Sequence, residues 1–171
     1  IINQLGEDVN VVTEPERRDT FPAIALAASY LAKEKKCNDD EVVVIMPCDV
    51  YTESKYFATI DKMVKAVENN VADLVLMGIT PTYPSEKFGY VVPESTQSSE
   101  SVKSSESVFN KDCLRVARFT EKPNEEKAKE LLKQNAFWNG GVFAFRLGYM
   151  MNIVNQYIQT DTFQETHKRY T

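Results

Sequence analysis

An α/β fold, with a mostly parallel sheet covered by helices on both faces, is predicted for this 171-residue chain by three features. Short apolar, β-branched runs recur along the first half of the chain. Amphipathic helical stretches separate them. Turn residues stand at each junction.

The elements follow in order. Residues 9–13 form a β-branched run closed by Glu14-Pro15 and read as a buried strand. Asp19 or Thr20 is placed to cap a helix, Pro22 suits its first turn, and AIALAASYLAKEKK continues it. Residues 41–46, EVVVIM, predict a second strand ended by Pro47-Cys48-Asp49-Val50. Ser54 opens another helix with Phe57, Ile60, Met63, Val64 and Val67 along one face, and Asn69-Asn70 stops it. Residues 73–79, DLVLMGI, predict the third strand. Beyond Pro81 the rhythm changes to shorter strands, FGYVV and LRVARFTEKP, then a helix over 125–135 and a strand over 141–145 that runs into a last helix.

One domain, 1–171, is expected at this length, with a polar low-complexity excursion over 94–110. Its centre is SSESV written twice around Lys103 and reads as a solvated or disordered loop. The chain begins at Ile1 without an initiator Met and stops at Thr171 in a helical pattern, so a piece of a longer protein is expected.

Composition excludes several classes. A net charge of −5 without a basic stripe argues against a nucleic-acid partner. No apolar run approaches the roughly 18 residues of a membrane span, and no signal-peptide layout is present. Cys37, Cys48 and Cys113 show neither CxxC spacing nor a neighbouring His, so neither a disulfide framework nor a zinc site is suggested, and a cytoplasmic location fits. With His167 the only histidine, and in a polar stretch, chemistry has to run without a histidine base.

Ligands of open parallel sheets bind beyond the carboxyl ends of the strands, which selects a few corners. Asp49, directly after the second strand, is either a Mg²⁺ ligand or an Asx-turn or helix-cap residue. Arg17, Arg18, Asp19 and Thr20 precede a helix whose N–H groups offer an anion site, or they are simply cap and solvated arginines. Glu121-Lys122-Pro123 offers an acceptor for hydroxyls and a compact cation for phosphate, or is a charged turn. Trp138-Asn139-Gly140-Gly141 suggests backbone in close approach beside an amide that donates and accepts, or a turn with Trp138 in the core. Phe88-Gly89-Tyr90 is either a bulge with an exposed aromatic or edge packing.

Taken in order, EPERRDT…AIALA, VIMPCDV, FGYV, FTEKP and WNGGVF resemble the mannose-1-phosphate guanylyltransferases of the sugar-phosphate nucleotidyltransferase family, over nearly the whole chain. The resemblance implies a Rossmann-like, GT-A-like nucleotidyltransferase core, here incomplete, that transfers GMP from GTP to mannose 1-phosphate with Mg²⁺, giving GDP-mannose and pyrophosphate. It implies nucleotide contacts at Glu14, Arg18, Asp19 and Thr20, and a metal-binding, catalytic Asp49. The sugar-phosphate pocket falls on Gly89, Tyr90, Glu121, Lys122, Asn139 and Gly140, with Lys122 the catalytic cation at the phosphate. Uridylyl or thymidylyl transfer to another sugar 1-phosphate is the alternative chemistry, and a regulatory nucleotide-sugar binder the alternative class. The sequence departs from the family at Asp19, where Asn is usual, and at Val50, where His is usual. It also lacks the family's glycine-rich, Arg-containing loop and second metal aspartate. This chain alone is therefore expected to fold but not turn over, while its parent, with the option of forming a homo-oligomer, is active.

Overall fold

In the computed structural model, which describes residues 3, 6, 8–94, 113–159 and 162–169, the elements run α1 (Thr20–Ser29), β1 (Val42–Ile45), α2 (Ser54–Glu68), β2 (Leu74–Ile79), β3 (Tyr90–Pro93), β4 (Val116–Thr120), α3 (Glu125–Lys133), β5 (Phe137–Arg146), α4 (Leu147–Tyr157) and α5 (Phe163–Arg169). A single π turn, Tyr30–Glu34, extends α1. The excursion expected over 94–110 lies, apart from Glu94, outside the described residues. The fold is α/β with an open sheet, as the sequence predicts. Contacts divide the chain into two units, residues 1–43 with 145–171 and residues 44–144.

The first unit is helical. α1 buries Ile24, Ala25, Leu26, Ala28 and Ser29, and its small side chains let α4 and α5 pack closely on it. α4 answers with Leu147, Met150, Met151 and Val154, the i, i+3, i+4, i+7 spacing of one apolar stripe. Each such burial stabilises by about 1.5–3 kcal/mol. The first N–H groups of α4 have no acceptor inside their own helix. Those of Leu147 and Gly148 instead donate to the carbonyls of Glu41 and Asp39, both at 2.9 Å. Gly148 is required there, because a Cβ would lie 2.8 Å from that of Asp39. Where α1 meets α5, Thr166 donates its hydroxyl to that of Ser29 at 3.3 Å, and Tyr30 meets Phe163 edge-on at 5.5 Å.

The strand expected over 9–13 does not form. Residues 10–14 have no regular structure, and Val11 is 47% exposed. β-branched propensity makes a strand only where neighbours take up its backbone groups and cover its faces, and among the described residues no strand pairs with this run.

The second unit holds β2, β3, β4, most of β5, α2 and α3. α2 begins at Ser54 as predicted, lays Met63, Ala66 and Val67 inward, and is stopped at Asn70, which adopts a left-handed φ of 55°. The sheet order is β1-β5-β3-β4, with β2 also pairing β5. The two registers at β3 are antiparallel: Tyr90 faces Thr120 and Trp138, and Val91 faces Phe119 and Phe137. Side chains alternate across a sheet, so Tyr90, Val92 and Trp138 share one face. There they form a core with Ala128 and Leu131 of α3 and with Ala136. The opposite face carries Gly89, Phe119, Glu121 and Asn139.

Candidate functional site

Gly89 is the pivot of that opposite face. Its carbonyl accepts the backbone N–H of Asn139 at 2.8 Å. A Cβ at this position would stand 2.6 Å from the Phe119 ring and 2.7 Å from a carboxylate oxygen of Glu121. No side chain fits. The missing Cβ therefore brings an aromatic ring, a carboxylate and the Asn139 backbone to one point, and Gly89 itself is buried.

Tyr90, next in the chain, points the other way. It is completely buried, and its hydroxyl accepts the Ser85 N–H at 2.8 Å and donates to the Ser85 carbonyl at 3.0 Å. The expectation of Tyr90 as a pocket side chain is corrected on this ground: both functions of its hydroxyl are taken up in holding the 85–90 turn. The exposed aromatic at this corner is Phe88, which lies 4.8 Å from Trp138, itself met edge-on by Tyr83 at 5.1 Å.

The corner after β4 stores strain. Lys122 has φ 38° and precedes Pro123, although a residue before proline is driven toward extended backbone. A non-glycine residue held in such a region costs on the order of 1–3 kcal/mol and persists only where its surroundings over-determine it. Buried Pro123 and the capped start of α3 supply that constraint; Asn124 accepts the Lys127 N–H at 2.9 Å. The turn holds the Lys122 ammonium 3.4 Å from Glu121, with both side chains more than half exposed. An ion pair so exposed is worth about 0–1 kcal/mol, so an arriving anion displaces it cheaply.

The sequence places 138–141 at the opening of a strand, but the stretch lies inside one, since β5 starts at Phe137. Trp138 is core. Gly140 is explained by the neighbouring strand, because a Cβ would meet the Met77 carbonyl at 3.0 Å and Ile79 at 3.2 Å. Gly141 has φ 69°, a left-handed kink that favours glycine. Asn139 braces the kink by accepting the Gly141 N–H at 3.1 Å through Oδ1. Its Nδ2 has no partner among the described residues.

Gly141 also leads to the metal candidate. Pro47 lies 3.5 Å from where its Cβ would be, and Asp49 follows Pro47 by two residues. The contacts thus run from Lys122 through Glu121, Gly89, Asn139 and Gly141 to Pro47. Asp49 is exposed and makes neither a hydrogen bond nor an ion pair with any described residue; α2 is preceded by Glu53, not by Asp49. The turn or cap alternative is therefore not what its side chain does. Among the described residues no three His, Cys, Asp or Glu side chains gather as a metal group. Mg²⁺ commonly takes one or two carboxylates and fills its shell with water and phosphate, a donor set that a single free Asp49 fits.

Glu14, Arg18, Asp19 and Thr20 belong to the first unit and are all exposed. Arg18 pairs with Glu16 at 3.0 Å. Asp19 stands at the N-cap of α1 but makes no capping bond through its side chain. Its φ of 65° and ψ of −172° lie in a region occupied almost only by glycine. The first N–H groups of α1 are thus left without a side-chain cap from Asp19. Outside all these residues, a surface depression of about 520 Å³ along α3, lined by Thr120, Pro123, Asn124, Glu126, Lys127 and Glu130, contains none of the expected site residues.

Phe119 and Pro47 are the site neighbours that sequence reasoning missed. The FTEKP motif contains Phe119, but only the register of β3 on β4 brings it to Gly89.

A fold of this kind, with a cation, a carboxylate and an amide along one face, defines a nucleotide-handling enzyme class, and comparison identifies it. The chain matches the nucleotidyl transferase family over residues 2–170 and belongs to it. Among its relatives, the alginate biosynthesis protein AlgA of Pseudomonas fluorescens is 31% identical over 147 residues, covering 85% of this chain and 28% of AlgA. The mannose-1-phosphate guanylyltransferase of Escherichia coli strain K12 is 30% identical over 159 residues, covering 91% of this chain and 30% of the relative. The chain therefore spans under a third of these relatives. Its fold matches the crystal structure of a Thermus thermophilus protein titled mannose-1-phosphate geranyltransferase, with a TM-score of 0.72 at 22% identity, over 98% of this chain and 48% of that one.

Proposed function

We propose that the polypeptide carrying this chain transfers GMP from GTP to mannose 1-phosphate, giving GDP-mannose and pyrophosphate, in the cytoplasm. The observation that carries the reading is the run of contacts from Lys122 through Glu121 and Gly89 to Asn139. It sets a phosphate-binding cation beside acceptors and donors for hydroxyls, in a chain about 30% identical to a mannose-1-phosphate guanylyltransferase.

In the reaction a phosphate oxygen of mannose 1-phosphate attacks the α-phosphorus of GTP. One P–O bond forms, the bond to the β-phosphate breaks, and pyrophosphate leaves. Both partners are anions: two unit charges about 4 Å apart repel by roughly 4 kcal/mol at an effective dielectric near 20, several hundredfold in rate. Lys122 offsets that charge at the sugar phosphate, once the phosphate replaces Glu121 as its partner. Glu121 then accepts from sugar hydroxyls, and the Nδ2 of Asn139 donates to them. Asp49 is the residue that holds Mg²⁺, which when bound supplies charge neutralisation at the phosphates. Glu14, Arg18, Asp19 and Thr20 serve the nucleotide. No covalent nucleophile is needed, since positioning and electrostatics supply the catalysis, in keeping with a single histidine. This chain alone binds the sugar phosphate without turnover.

The test is pyrophosphate release by the intact polypeptide given mannose 1-phosphate, Mg²⁺ and GTP, UTP or dTTP in turn. Release with GTP well above the others is expected. Preference for UTP or dTTP overturns the guanylyl assignment, and no release with any nucleotide overturns the enzyme reading in favour of a non-catalytic binder.

A further inference from the structure

We propose that Phe119 is a sugar-binding platform: its ring packs against the C–H face of the hexose while Glu121, two residues on, accepts from the same sugar's hydroxyls. The inference rests on the sugar-phosphate reading above and adds a residue to it. Three observations carry it. Phe119 and Glu121 lie on the same face of β4 and meet at one point, 2.6 Å and 2.7 Å from where a Gly89 Cβ would stand. The ring is 48% exposed although it sits beside the fully buried core residue Tyr90, so its apolar surface is available to a ligand. On that same face Asn139 keeps an amide Nδ2 without a partner among the described residues.

The chemistry suits a pyranose. A sugar ring presents axial C–H groups on one side and hydroxyls around its rim. An aromatic surface flanked by a carboxylate and an amide satisfies both, because the C–H groups leave water against the ring while the hydroxyls keep hydrogen-bond partners. Inorganic phosphate has no such face and draws only on Lys122. Phe119 thus separates sugar phosphate from phosphate. A side chain there would also strike Gly89 if that residue had a Cβ, which gives the glycine a reason beyond the turn.

The experiment is calorimetric titration of the chain and of Phe119→Leu, Phe119→Ala and Phe119→Tyr with mannose 1-phosphate and, separately, with inorganic phosphate. Circular dichroism checks that each variant keeps the fold. Phe119→Ala is expected to weaken mannose 1-phosphate binding roughly tenfold, because the sugar's C–H face then stays in water instead of against a ring. Phe119→Leu, which keeps bulk but not the ring, is expected to lose about threefold, and Phe119→Tyr to stay within twofold. Phosphate binding is expected to be unchanged in all three. If Phe119→Leu and Phe119→Ala bind mannose 1-phosphate as the unaltered chain does, the platform is overturned while the function stands. If they weaken phosphate equally, the ring acts on fold or on Lys122 and the platform is overturned as well. If the unaltered chain binds phosphate but not mannose 1-phosphate, both the platform and the sugar-phosphate reading fall.

Discussion

The backbone N–H of Asn139 donates to the carbonyl of Gly89 over 2.8 Å, and this bond joins two corners that are 50 residues apart in the sequence. Because Gly89 also admits Glu121 and Phe119 where its Cβ would be, the bond fixes a carboxylate, a ring and an amide on one face of the sheet.

Gly89→Ala is expected to destabilise the second unit by about 1–3 kcal/mol, since an added methyl must push aside Phe119 and Glu121. Trp138 is the chain's only tryptophan and sits in that unit's core, so its fluorescence in a urea titration reads the change directly. An unchanged midpoint contradicts the close approach.

Lys122→Ala in the intact polypeptide is expected to reduce turnover of mannose 1-phosphate by about 10²–10³, the usual loss of one preorganised charge-stabilising group, while GTP binding changes less than about threefold. Separate measurements of pyrophosphate release and of nucleotide binding decide this. Equal losses in both remove Lys122 from the sugar phosphate.

Asp49→Asn is expected to abolish the broadening that Mn²⁺, used in place of Mg²⁺, produces at the amides of residues 48–50 in an NMR spectrum, without moving the melting temperature by more than about 1 °C. The side chain has no structural partner among the described residues to lose, so stability and metal binding separate cleanly. Broadening that survives the substitution places the ion elsewhere.

On α3, the ammonium of Lys129 hydrogen-bonds Glu125 at 2.6 Å, and that of Lys127 hydrogen-bonds Glu130 at 2.8 Å. Each holds its carboxyl below the ordinary value of 4.5, first by the hydrogen bond and then by its charge. A carboxyl with a lower pKa in the folded state stabilises fully above its unfolded pKa and loses that stabilisation as pH falls through the folded one. Lys127→Gln with Lys129→Gln is therefore expected to lower the melting temperature slightly at pH 7, by an amount that shrinks as pH drops below 4.5 and vanishes in about 1 M salt, where screening is complete within some 3 Å. Melting curves across pH and salt test it; a difference that grows with acid contradicts it.

Much of this fold was legible because periodicity reports burial. The stripe of α2 and the runs at 41–46 and 73–79 match α2, β1 and β2 to within a residue or so, since each buries its apolar positions against another element. The run at 9–13 misled for the same reason: its β-branched residues promised a strand, but strand formation depends on a pairing partner that composition does not reveal. The glycines of 140–141 likewise suggested a ligand. Gly140 answers to the Met77 carbonyl and Gly141 to a kink of its own strand, and only pairing could tell these causes from a ligand's approach. The face shared by Gly89, Phe119, Glu121 and Asn139 follows from the registers at β3, which no single motif contains.

The most direct test is an amide-by-amide NMR titration of the chain with mannose 1-phosphate. Shifts concentrated at residues 88–90, 119–122 and 138–141 are the expected result. Shifts confined to the depression along α3, or none at saturating sugar phosphate, contradict the assignment of this face as the ligand site.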